Sequence, residues 1–272
     1  MSFEVASIKQ SKPGAFVPPK FPLDAGDAYN PTGGLFSADF PLAVYIQFAY
    51  KLWLIPEQMQ SMIAPLPKWV ATDNFDIQAR APVANPTKDQ MRLMMQSLLA
   101  ERFQLSVHFE TQVAPVLALI LVKPGKLGPK LRPHAEGPPC DAATESAASG
   151  SPVSSADVFP ARCDVTVWSM RPNSMPRLGS RNTTMSLLAS ALPGAGNLGR
   201  PVVDQTGLNG RFDFMIEWVP DSKGPAVPNV SPDLEGPTFL QALHEQLGLK
   251  LESTKAPLQI LVVDHVERPS EN

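Results

Sequence analysis

Apolar and polar residues alternate in short runs along this chain, and the runs are separated by proline and glycine. Phe3–Lys9 (FEVASIK) sets Phe3, Val5 and Ser7 against Glu4, Ala6 and Ile8, the period-two pattern of a strand. Residues 11–34 are rich in Pro and Gly and read as a long ordered loop. Phe36–Phe40 is a short strand. Pro41 then opens a helix to Leu52, with Leu42, Tyr45, Ile46, Ala49 and Tyr50 along one face. Phe75–Arg80 (FDIQAR) alternates again. Thr87, with Gln90 three residues on, has the form of a capping box, and the helix it starts carries Met91, Met94, Met95, Leu98 and Leu99 on one side. Strands 104–111 and 115–122 follow, with a tight turn expected at Ala114-Pro115. The later chain offers a strand at Cys163–Met170, a short helix at Ser186–Leu192 capped near Thr184 or Ser186, and a strand at Pro201–Val203. A turn at Asp204–Gly210, a strand at Phe212–Val219, a Pro-rich loop at 220–237, a helix at 237–247 and a terminal hairpin turned at Ala256-Pro257 complete it.

Part of this pattern occurs twice. Gln104–Glu110 (QLSVHFE) lies over Gln246–Glu252 (QLGLKLE) without a gap, Ala114-Pro115 over Ala256-Pro257, and Phe75-Asp76-Ile77 over Phe212-Asp213-Phe214. The expectation is an α+β protein built by internal duplication. Its first repeat covers 1–122, a Pro/Ala/Ser-rich linker covers 123–162, and the second repeat covers 163–272. Residues 36–122 and 179–263 should superpose, and the two units should pair through helices or by joining sheets, which would hide edge strands.

At 272 residues, 43% hydrophobic and 18% charged, the chain can bury a real core. Thirty prolines favour ordered loops over long helices. A net charge of −3 without a basic block is poor support for nucleic-acid binding, which needs many phosphate-neutralising cations. No run of 18 apolar residues exists to span a membrane. The two cysteines, Cys140 and Cys163, bracket a low-complexity stretch. A disulfide between them is the favoured reading, with two unrelated thiols as the alternative, and it favours an oxidising compartment. The N-terminus is not a signal peptide. A start almost directly in a strand is what a mature chain shows once its export signal has been removed.

The residues FEVASIK, the Trp69–Arg80 pattern W(x)5FDIxAR, MxxSLLAERFxLxVHxET at Met94–Thr111, GRPVVDxTGLxGRFDF at Gly199–Phe214, EQLGLKLE at Glu245–Glu252 and the closing VDHVERPSEN carry a resemblance. Through them the chain resembles the acidobacterial "soil-associated" family of uncharacterised proteins, a domain of unknown function, over nearly its whole length. The resemblance implies an exported protein of a soil bacterium. Some relatives are joined to sensor-peptidase modules of the BlaR type, which implies envelope signalling or ligand sensing. It implies no catalytic residues. Ser186–Phe214 is also similar, at the level of fold only, to the short N-terminal domain of secretins and TonB-dependent receptors.

Hydrolase and nucleotide motifs are missing. There is no G-x-S-x-G elbow, no H-E-x-x-H and no Walker A, and Gly194–Gly199 has dinucleotide-like spacing but follows a helix. None of the four histidines is duplicated in the repeat. His108 and Glu110, two apart, share one strand face and are candidates to hold a ligand or a divalent metal. Asp213, its repeat counterpart Asp76, and Asp204 could supply oxygen ligands, Ca²⁺ or Zn²⁺ being the ions in question. The bland reading of each Asp is a turn residue capping backbone N–H groups. No cofactor is otherwise evident. The function expected is binding or sensing of a small molecule or an envelope protein, periplasmic or secreted, with any ligand near His108, Glu110 and Asp213. The alternative is a metal-assisted hydrolase of small esters or lactones; whether the protein is an enzyme at all stays open.

Overall fold

The computed structural model describes residues 1–11, 17–27, 29–135, 163–171, 175–220 and 235–269. It is a mixed α+β protein, as expected, and it divides into two compact units. Unit 1 combines Met1–Val113 with Pro257–Asn272, and unit 2 is Ala114–Ala256. The terminal segment therefore returns to the first unit, and the units are drawn differently from the expected stretches 1–122 and 163–272.

Unit 1 contains β1 (Val5–Gln10), β2 (Leu35–Pro41), α1 (Leu42–Ala49), α2 (Pro56–Ile63), α3 (Trp69–Thr72), β3 (Asn74–Arg80) and α4 (Lys88–Arg102). It also holds the first half of β4 (Ser106–Leu121) and the end of a strand that starts at Leu249. β3 is central, antiparallel to β1 and β2, with Ile8 and Ala38 both opposite Ile77. The alternation of β3 sends Phe75, Ile77 and Ala79 into the core, against Tyr45, Ile46 and Phe48 of α1 and the methionines of α4. α4 starts where its capping box dictates. The Gln90 N–H donates to Thr87 Oγ1 at 3.1 Å, and the Thr87 N–H donates to Gln90 Oε1 at 2.8 Å. Two charged residues of α4 are buried as well. Arg92 donates to Asp27 and Asp89 and to the carbonyls of Ala25 and Gly26, and Lys88 pairs with Asp24 at 3.0 Å. Part of the long N-terminal loop is thus stapled to the helix, and burial pushes the Lys88 ammonium below its ordinary value.

Unit 2 contains β5 (Leu131–Pro133), β6 (Val167–Met170), β7 (Pro176–Thr183), α5 (Met185–Ala195), β8 (Val202–Asp204), β9 (Phe212–Glu217) and α6 (Phe239–Leu247). Its antiparallel sheet has the order β5-β9-β7-β6. β10 (Leu249–His265) begins here, and β4, lying between β10 and β8, pairs in parallel with β8 through Leu117–Leu119. Phe214, Ile216 and Trp218 pack on Leu188, Leu192, Leu243 and Leu247. α6 has the same cap as α4, from Thr238 and Gln241. With α2 and α3 set aside in the first series and β8 in the second, strand, helix, strand, capped helix and long strand follow one another in both, as β2-α1-β3-α4-β4 and as β7-α5-β9-α6-β10.

Several local expectations are corrected. No hairpin forms at Ala114-Pro115 or Ala256-Pro257, because β4 and β10 each run on as one long strand. A residue before proline is pushed towards extended backbone, and neither pair offers the Gly or Asn that a two-residue turn demands. Both pairs instead mark the division between units, which falls at Val113/Ala114 and at Ala256/Pro257. β5 lies inside the expected linker, and the strand expected at Cys163–Met170 starts only at Val167. β7, with the polar sequence PRLGSRNT, and α2 were not signalled by periodicity. Cys140 and most of the Pro-rich loop at 220–237 lie outside the described residues, so the Cys140–Cys163 bridge stays a proposal.

Candidate functional site

The site that the sequence points to sits in unit 1, on the strands β4 and β10. These run antiparallel: the Val122 N–H donates to Gly248 O at 2.9 Å at one end, and His108 meets Asp264 at the other. Val107 and Val263 pack onto the hydrophobic core of unit 1. Alternation then turns their neighbours His108 and Asp264 away from it, and these side chains are 46% and 44% exposed. His108 Nδ1 lies 2.8 and 3.0 Å from the two carboxylate oxygens of Asp264. Its Nε2 lies 3.2 Å from Glu110 Oε1. Hydrogen bonding to Asp264 first, and to Glu110 second, raises the His108 pKa above its ordinary value of 6.5. The protonated ring donates from both nitrogens, so it satisfies both carboxylates at once. The trio then carries one net negative charge on an exposed strand face, which favours a cationic or hydrogen-bond-donating group.

Each of the remaining candidates has its own local partners. Asp76 on β3 accepts from Gln78 Nε2 at 3.0 Å. Asp204, at the end of β8, accepts from the Thr206 N–H at 3.0 Å and from Thr206 Oγ1 at 2.8 Å. This is the local turn bonding that an Asp before Thr-Gly commonly makes. Asp213 on β9 belongs to unit 2 and is buried. Its Oδ1 lies 2.7 Å from His134 Nδ1 and accepts the Asn182 N–H at 3.0 Å. Asn182 has φ of +47° at a register irregularity between β7 and β9, so Asp213 fastens a bulge. Among the described residues, no group of three or more His, Cys, Asp or Glu side chains is placed to hold a metal ion. No helix there is long and apolar enough to cross a membrane.

Two partners escaped the sequence. Asp264 reaches His108 across 156 positions, and nothing local signals that pairing. His134 was placed in the linker, yet it follows β5 directly and its N–H donates to Arg211 O at 2.8 Å. The repeat gave the Asp of each strand but no histidine to go with it.

Residues 43–266 match the family described as a protein of unknown function, DUF3738. The chain belongs to the DUF3738 family. No curated protein and no solved structure matches it. In this DUF3738 protein the match takes in both units, including His108, Asp264, His134 and Asp213.

Proposed function

We propose that this protein is a binding or sensing module of the bacterial cell envelope. It engages a small molecule or an envelope protein through the outer face of β4 and β10 in unit 1. One observation supports the reading above the rest: an exposed imidazole is held between two carboxylates from adjacent strands. Structural ion pairs seldom contribute much at such exposure, so the arrangement is better suited to recognition than to stability. Export to the periplasm or beyond, and origin in a soil bacterium, are the parts of this proposal that rest on the family resemblance.

The alternative, a metal-assisted hydrolase of small esters or lactones, needs His108 nitrogens free for a metal ion or a proton transfer. Both are engaged by carboxylates, which favours the binding reading. The test compares wild type with His108→Ala and Glu110→Ala in quantitative cross-linking to an envelope fraction. Recovery of the same set of molecules by all three refutes the reading. Turnover of esters or lactones that is lost on chelation moves the protein to the hydrolase class.

A second part of the proposal concerns origin: the two units arise from one duplicated α+β unit. The matching order of five elements in each series, apart from α2, α3 and β8, and the two Thr-x-x-Gln capping boxes support it. By crystallography, residues 36–122 and 179–263 should superpose as one topology, and different strand orders would reject the idea.

A further inference from the structure

A second charged cluster lies in unit 2, on side chains that the sequence did not single out. Ser169 on β6 is opposite Arg177 on β7, and Arg177 is opposite Glu217 on β9. Directly opposed residues project from the same face of a sheet, so the three form a row across it. Arg177 Nε donates to Ser169 Oγ at 3.3 Å. Arg171, one residue past β6, donates from Nη1 to Glu217 Oε2 at 3.2 Å. Lys130, one residue before β5, donates from Nζ to the same oxygen at 3.0 Å. Arg177 Nη1 stands 3.9 Å from Glu217 Oε1, near enough for an ion pair and too far for a hydrogen bond.

Two features of this cluster go beyond what the fold requires. Among the described residues, three cations share one carboxylate, so two positive charges are left over. And Glu217, only 6% exposed, has an oxygen, Oε1, that is buried and accepts no hydrogen bond from the described residues. Buried carboxylate oxygens are nearly always bonded, and one that is not calls for an explanation. Its position is also held firmly. The side chain of Gln246 on α6 accepts the Glu217 N–H at 3.0 Å and donates to Glu217 O at 2.7 Å. The Lys130 N–H donates to the Gln246 carbonyl at 2.8 Å. The cations are less enclosed than the acid, with side-chain exposures of 31%, 29% and 20% for Lys130, Arg171 and Arg177. A solute can therefore reach them.

We propose that Lys130, Arg171, Arg177 and Glu217 form a binding site in unit 2 for a small hydroxycarboxylate, best a dianion. Its carboxylates answer the two surplus charges, since guanidinium groups take carboxylates with paired N–H donors. Its hydroxyl donates to Glu217 Oε1 once the Arg177 guanidinium, 3.9 Å from that oxygen, turns to the ligand's carboxylate and uncovers it, which removes the unpaired buried acceptor. A ligand without the hydroxyl leaves that acceptor unpaired and binds less well.

The test is calorimetric titration of the full chain, at low ionic strength, with malate and with succinate, which lacks the hydroxyl. Malate is expected to bind about tenfold more tightly than succinate, the worth of one charge-assisted hydrogen bond. Arg171→Gln and Arg177→Gln should each weaken malate by about tenfold or more. Equal affinity for the two acids overturns the role of Glu217. Absence of heat with millimolar malate, or unchanged malate binding in both variants, overturns the site. Arg171 lies outside the strands, so Arg171→Gln decides the matter should Arg177→Gln fail to fold, with its melting curve as the check on folding.

Discussion

Each unit holds one histidine against one aspartate at nearly the same distance, and the two pairs sit in different surroundings. His108 and Asp264 of unit 1 meet at 2.8 Å with both side chains open to water. His134 and Asp213 of unit 2 meet at 2.7 Å with side chains only 18% and 9% exposed. Around Asp213 the low local dielectric strengthens each bond and makes an unpaired group costly. Its carboxylate also accepts a backbone N–H where β7 departs from register, so the pair belongs to the architecture. Around His108 water competes for each charge, the bonds contribute little to stability, and what remains is a group that can be read from outside. Chemical identity alone does not distinguish the two pairs; burial does.

The largest effects should therefore appear in unit 2. If Cys140 and Cys163 are bridged as proposed, reduction should cost about 3 kcal/mol and should loosen unit 2 while leaving hydrogen-exchange protection in unit 1 unchanged. Intact-mass analysis of periplasmically produced protein, alkylated without reductant, would reject the bridge by showing two labels. Next comes Asp213→Ala. It strands the His134 Nδ1–H and the Asn182 backbone N–H, a loss of about 2–3 kcal/mol and a fall of roughly 5 °C or more in melting temperature. A melting curve that does not move would show Asp213 to be dispensable and would erase the contrast with His108.

Intermediate effects test where the two units are alike. Thr87→Ala and Thr238→Ala each remove the oxygen of a Thr-x-x-Gln capping box, with the backbone N–H donating at 3.1 and 3.4 Å. Each should cost about 1 kcal/mol. Chemical denaturation that gives clearly unequal losses would show that one helix relies on packing more than on its cap.

How much of this could be read from the sequence depended on range. Local rules were enough for α4: Thr87, Gln90 and the methionine face stand within two turns of one another, and the helix begins and packs accordingly. They were enough for the strand face of His108 and Glu110, which needs only the period of two. They misled at Ala114-Pro115 and Ala256-Pro257, where an X-Pro pair suits either a turn or extended backbone and the longer pairing of β4 with β10 chose the second. β7 was silent, because Arg177, Gly179, Ser180 and Arg181 leave no apolar alternation to detect. Asp264 and His134 depend on contacts brought together by the completed fold, and no pattern along the chain announces such partners.

The smallest effect on stability is also the sharpest test of the exposed pair. His108→Ala should leave the melting temperature within about 2 °C, far less than Asp213→Ala. Its signature lies in titration. Bonding to Asp264 and Glu110 holds the folded-state pKa of His108 above 6.5. Whatever these bonds contribute to stability is therefore complete at pH below 6.5, and it fades as pH rises through the higher folded-state value. In NMR spectra the ring signals of His108 should titrate above 6.5. Asp264→Asn removes the larger cause and should lower the midpoint, and Glu110→Gln, the smaller cause, should lower it less. If the wild-type ring titrates at 6.5, or if Asp264→Asn leaves its midpoint in place, the carboxylates do not hold the imidazolium and the exposed trio loses its claim to be the site.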